Sequence, residues 1–188
     1  MLVPKQIFLT RGRGFHKEKL ASFELALRSA GIAEQNLVYV SSIFPPNCKL
    51  ISRRTGQAKL MPGQICFCVM ARNATNEPNR LISSSIGLAM PADKGLHGYL
   101  SEHEGYGQNA RISGDYAEDL AAEMLATTLG IDFDLDQSWD EKKQFFRMSR
   151  KIVRTDNITQ TAVGPKNGRW VTTVAAAVMI MEWQNQDQ

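Results

Sequence analysis

Residues 6–46 read QIFLTRGRGFHKEKLASFELALRSAGIAEQNLVYVSSIFPP. Gln6 to Thr10 has the composition of a short strand, and a glycine- and arginine-containing loop, Arg11-Gly12-Arg13-Gly14, follows it. From Lys17 the spacing predicts a helix: Leu20, Phe23, Leu27 and Ala30 recur on one face, and Gly31 stands where a C-terminal cap is expected. Leu37 to Ser41 reads as a second strand, stopped by Pro45-Pro46, which cannot continue a central ladder. Strand, helix, strand predicts a mixed α/β arrangement of layers.

Outward from this stretch the pattern continues. Gln64 to Ala71 is rich in β-formers, with Ile65, Phe67 and Val69 on one face and Cys66 and Cys68 together on the other. Leu81 to Met90 and Gly98 to His103 read as further strands. Asp115 to Leu129 predicts a helix with Leu120, Met124 and Thr127 or Thr128 turned inward and Gly130 past its end. Asp132 to Asp140 reads as an acidic linker. Ile158 to Val163 and Arg169 to Met181 read as strands joined by the turn Pro165-Lys166-Asn167-Gly168, and Gln184 to Gln188 as a polar tail.

The 188 residues fit one domain, and 43% hydrophobic with 22% charged residues excludes disordered, collagenous and coiled-coil classes. A net charge of +3 is too small to argue for nucleic acid, and Arg11, Arg13, Arg53 and Arg54 have no aromatic platform beside them. The longest apolar run, Val174 to Met181, is far short of the ~20 residues that span a bilayer. Three cysteines cannot all pair within the chain and the first residues hold no apolar signal core, so a cytoplasmic protein bound to neither membrane nor nucleic acid is expected.

Most candidate motifs reduce to structure. The Arg11–Gly14 segment matches neither a Walker loop nor a dinucleotide fingerprint, and a flexible surface turn accounts for it. Cys66 and Cys68 lack the turn-forming spacing and second ligand pair of a zinc site and read as buried apolar residues. His16, His97 and His103 are scattered. The segment Asn36 to Pro46 differs: adjacent serines, Ser41 and Ser42, end an apolar strand, and two prolines follow almost at once.

That segment, together with Ser83 to Met90, Pro91-Ala92-Asp93-Lys94, Glu102-His103-Glu104-Gly105 and the Ala-rich Thr173 to Met179, resembles in order the pyruvoyl-dependent arginine decarboxylase family. The resemblance implies an αββα four-layer sandwich of one domain, residues 1–188. It implies cleavage between Ser41 and Ser42 into a small β chain, 1–41, and a large pyruvoyl-bearing α chain, 42–188. It further implies a homotrimer with active sites between neighbours.

In such a protein the Ser42 hydroxyl attacks the Ser41 carbonyl, β-elimination frees Ser41, and dehydroalanine 42 loses ammonia to leave the pyruvoyl cofactor, with no metal and no pyridoxal phosphate. A Schiff base between that carbonyl and the substrate amine then permits decarboxylation of arginine to agmatine. By the resemblance Glu102 is the proton donor, with Glu104 in reserve, and Asn36 orients or polarises the reacting carbonyl. The neighbours Tyr99, Leu100 and His103 suggest a partly buried Glu102 with a raised pKa.

Glu24 matches the carboxylate that meets the substrate guanidinium, where aspartate is usual; a surface i,i+4 pair with Arg28 would explain it equally. The longer side chain leaves lysine, ornithine or another amine open as substrates, whereas an aspartate preference would leave Glu24 unexplained. An unprocessed binding protein of the same fold is the alternative of a different class.

Overall fold

In a computed structural model, which describes residues 3–131 and 151–181, Gln6–His16 forms one unbroken strand, β1. The Arg11–Gly14 segment therefore lies inside a strand and is no surface turn. Its glycines answer to packing. Helix α1 (Lys19–Ala30) lies so close over β1 that a Cβ on Gly12 would stand 2.2 Å from the Ala26 carbonyl oxygen. The same closeness corrects the helix face. Ser22, Ala26 and Ala30 are buried against the strand, whereas Leu20 is 79% exposed and Phe23 and Leu27 only flank the contact. Gly31 caps the helix as expected, with φ +70°.

The chain continues through β2 (Asn36–Tyr39), β3 (Ile43–Phe44), β4 (Lys49–Ile51), the short helix α2 (Arg53–Gln57), β5 (Ile65–Thr75), β6 (Leu81–Pro91), β7 (Gly98–Tyr106), α3 (Ala110–Thr128), β8 (Ile152–Val163) and β9 (Trp170–Ile180). These make a five-stranded sheet, β2-β5-β9-β1-β4, and a four-stranded sheet, β3-β7-β6-β8. Side-chain alternation gives each sheet two covered faces. On the first, Phe8, Cys66, Cys68 and Val178 meet Ala26 and Ala30 of α1. On its other face Ile7, Val69 and Ala177 meet Ile86, Leu88 and Leu100 of the second sheet. Ala121, Ala122 and Leu125 of α3 cover the second sheet at Ala89. The layers therefore run helix, sheet, sheet, helix.

Two further expectations need correction. Helix α3 starts earlier than Asp115, where Asn109 Oδ1 accepts the Ile112 N–H at 2.9 Å, and its buried stripe is Ala117, Ala121, Ala122 and Leu125, with Leu120 and Met124 at the flank. Gly87 on β6 explains the small residues: a Cβ there would stand 2.0 Å from the Ala117 oxygen. Strands β8 and β9 are joined by the expected turn and do not pair with each other. The Pro165–Gly168 turn carries the chain from one sheet to the other, where β9 lies between β1 and β5 and is buried on both faces. The expected acidic linker and polar tail lie outside the described residues.

Candidate active site

The two serines occupy the crossing between the sheets. Before them, β2 runs parallel to β5, and the Val40 N–H donates to the Cys68 carbonyl at 3.1 Å. After them, β3 runs antiparallel to β7, and the Leu100 N–H donates to the Ser42 carbonyl at 2.8 Å. The Ser41–Ser42 peptide bond is thus tethered on one side to the first sheet and on the other to the second. Between the tethers the Ile43 N–H donates to the Ser41 carbonyl at 2.9 Å, a γ-turn centred on Ser42. Ser42 is not among the residues with positive φ, so the turn is the common inverse form.

The Ser42 hydroxyl donates to Glu102 Oε2 at 2.9 Å. Strand β7 sets this geometry. Leu100, Glu102 and Glu104 alternate onto the face that looks at the first sheet, with Leu100 in the core between the sheets. Glu104 is engaged elsewhere, its Oε1 accepting the Arg72 N–H at 2.9 Å, so Glu102 alone of the two meets Ser42. Glu102 is exposed, contrary to the expected partial burial. The reason is β3: it covers only the start of β7, pairing at Gly98 and Tyr99, and leaves Glu102 on an open rim of the sandwich. His103 points the other way, to Gln108 Oε1 at 2.7 Å and the Tyr116 ring.

The remaining expected residues stand apart. Asn36 opens β2, about 10 Å of strand before Tyr39, and its Nδ2 donates to the Gly63 carbonyl at 2.8 Å. Glu24 pairs with Arg28 and lines a cavity of about 660 Å³ with Glu34, Gln35 and Gln57. Ser41, Ser42 and Glu102 take no part in that cavity. Within one chain the structure thus joins Ser41, Ser42 and Glu102 and keeps Glu24 and Asn36 away from them. An apolar cleft of about 290 Å³, lined by Val40, Ile43, Phe67 and Met179, adjoins Ser41.

The three cysteines are unpaired and buried; burial pushes the Cys48 thiol up to about 11 and the Cys68 thiol up to about 12, which suits inert core residues. Burial likewise raises Tyr39, whose hydroxyl donates to Met70 Sδ at 3.3 Å. Among the described residues no group of three or more His, Cys, Asp or Glu is placed to hold a metal ion, and no helix is long and apolar enough to cross a membrane.

A carbonyl cofactor derived from serine needs a hydroxyl beside the peptide bond to be cut and a group able to hold its proton; Ser42 and Glu102 fit both needs. On a helix–sheet–sheet–helix scaffold this arrangement matches the class of amino acid decarboxylases that carry a pyruvoyl group. Residues 6–184 match the family described as pyruvoyl-dependent arginine decarboxylase (PvlArgDC). A probable pyruvoyl-dependent arginine decarboxylase of Chloroherpeton thalassium is 60% identical over 178 residues, 95% of this chain and 98% of its own. The pyruvoyl-dependent arginine decarboxylase of Nitrosopumilus maritimus is 56% identical over 180 residues, covering 96% of this chain and 98% of that one. Pyruvoyl-dependent arginine decarboxylase 2 of Methanosarcina mazei is 55% identical over 179 residues, with 95% of this chain and 98% of that one covered. The chain belongs to the pyruvoyl-dependent arginine decarboxylase family.

Proposed function

We propose that the chain is a self-processing carboxy-lyase that converts L-arginine to agmatine and carbon dioxide. The observation that carries this reading is the 2.9 Å contact from the Ser42 hydroxyl to Glu102, at a Ser-Ser pair tethered to both sheets. In processing, Ser42 Oγ attacks the Ser41 carbonyl carbon and the amide becomes an ester. Loss of the Ser42 α-proton then expels the Ser41 carboxylate, and water replaces ammonia at residue 42. Glu102 holds the hydroxyl in place and can accept its proton.

The pyruvoyl carbonyl, once present, supplies covalent capture of the substrate amine and an electron sink for loss of carbon dioxide. The chain's own residues do the rest. Glu102 holds a proton at Oε2, beside the position of the reacting carbon, for delivery to the product. A carboxylate on α1, Glu24, takes the guanidinium as a charge-assisted pair, displacing Arg28. Because Glu24 and Asn36 lie apart from Ser42 in one chain, a neighbouring copy completes the site, and we read the assembly as a trimer of cleaved protomers. Three unpaired cysteines suit the reducing cytoplasm.

The test is decarboxylation measured on arginine, lysine, ornithine and aspartate with wild type and Ser42→Ala. Arginine-specific carbon dioxide release, absent from Ser42→Ala, is expected; release from aspartate in preference would overturn the substrate assignment.

A further inference from the structure

We propose that the backbone N–H of Ile43 is the oxyanion donor of self-processing. The inference rests on the processing reaction above and names a group that reaction requires. When Ser42 Oγ attacks, a C–O bond forms at the Ser41 carbonyl carbon and the carbonyl π pair moves onto the Ser41 oxygen. The hydroxyl proton passes to Glu102. Collapse returns that pair, breaks the C–N bond and leaves the Ser42 nitrogen to take a proton as the amine, giving the ester. Every intermediate charge thus rests for a time on the Ser41 oxygen, so a donor aimed at it lowers the barrier.

Ile43 N–H is the donor in position, 2.9 Å from that oxygen before any reaction begins. It also takes no part in the ladder between β3 and β7. The bond from Leu100 N–H to the Ser42 carbonyl flanks the Ile43–Tyr99 pair, which makes it the non-hydrogen-bonded kind in an antiparallel ladder. Ile43 N–H therefore points away from β7, and the ladder loses nothing if it is removed. Other donors near the scissile bond are committed: Val40 N–H to Cys68 and Leu100 N–H to Ser42. The same N–H next serves the elimination, where the Ser41 oxygen becomes part of the leaving carboxylate. Sequence carries no sign of this role, because any residue but proline supplies the group.

The experiment replaces Ile43 by its α-hydroxy acid in the full chain, which exchanges N–H for oxygen and keeps the side chain. Cleavage after Ser41 is followed over time by denaturing mass spectrometry, beside wild type, Ile43→Val and Ser42→Ala. A cut at the introduced ester has a different mass and is counted separately. Loss of a single oxyanion donor slows reactions of this type by about 10²–10³-fold. Slowing of tenfold or more, with Ile43→Val processing as wild type, is expected. Cleavage slowed less than tenfold would overturn the inference, and Ile43→Pro, which removes the same N–H, provides a second reading should the ester chain not fold. If wild type itself is never cut after Ser41, the processing reaction fails and this inference with it; if wild type cuts and both variants keep pace, only the donor is wrong.

Discussion

Replacing Gly12 by alanine puts the closeness of α1 and β1 to the test. The added Cβ would meet the Ala26 oxygen at 2.2 Å, the Ala30 nitrogen at 2.5 Å and the Ser29 carbonyl carbon at 2.9 Å, all helix backbone. Carbon contacts below 3.0 Å are not sustained, so α1 must retreat by about 0.8 Å. A gap of 0.5–1 Å forfeits about a quarter to a half of each dispersion contact across it. It also stretches the Thr10 hydroxyl's bond to the Ala30 carbonyl, 2.5 Å, and that between the Ser22 and Thr172 hydroxyls, 2.7 Å. Overpacking of this kind costs about 1–3 kcal/mol, which for a chain of this size lowers the melting midpoint by roughly 2–12 °C. Thermal unfolding by circular dichroism reads it directly. An unchanged midpoint, as a substitution in a surface turn would give, refutes the packing argument.

Three other outcomes are expected. Glu102→Gln still offers an acceptor to the Ser42 hydroxyl but no base for its proton, so cleavage slows and turnover of the cleaved protein falls by about 10²-fold or more; single-turnover decarboxylation with cleaved protein measures the turnover, and full activity would reassign the acid. Glu24→Gln removes one charge-assisted partner of the guanidinium and should raise KM for arginine by about tenfold or more, with little change in kcat; an unchanged KM would return Glu24 to a surface pair with Arg28. Cys48 and Cys68 titrate near 11 and 12 in the folded chain against 9.0 ordinarily, so the unfolded state gives up these protons first. Their contribution to stability is complete below pH 9 and falls as pH rises toward 11. Denaturant midpoints that drop over that window in wild type, and less in Cys68→Ala, would show it; parallel curves would not.

The alternation of strands and helices was legible because apolar spacing and turn residues mark elements locally. What local reading missed was distance in space. Gly12 and Gly14 look like loop residues until α1, one connection later, is laid on them, and apolar periodicity then picks Leu20 over the smaller Ser22 and Ala26. The same error recurs in α3, where Gly87 draws Ala117 and Ala121 inward past Leu120 and Met124. At the site, Ser41, Ser42 and Glu102 could be named from an ordered set of motifs. Glu102 and Glu104 share a face by their spacing, and only the register of β7 against the first sheet separates them, one on Ser42 and the other on the Arg72 amide. The burial expected of Glu102 failed because strand pattern does not reveal that β3 is only two residues long.

A denaturing intact-mass spectrum of the purified chain bears most directly on the central claim. The account predicts two fragments, residues 1–41 at their sequence mass and residues 42–188 lighter than sequence by one ammonia. A single uncut chain that stays uncut on ageing and warming would contradict it.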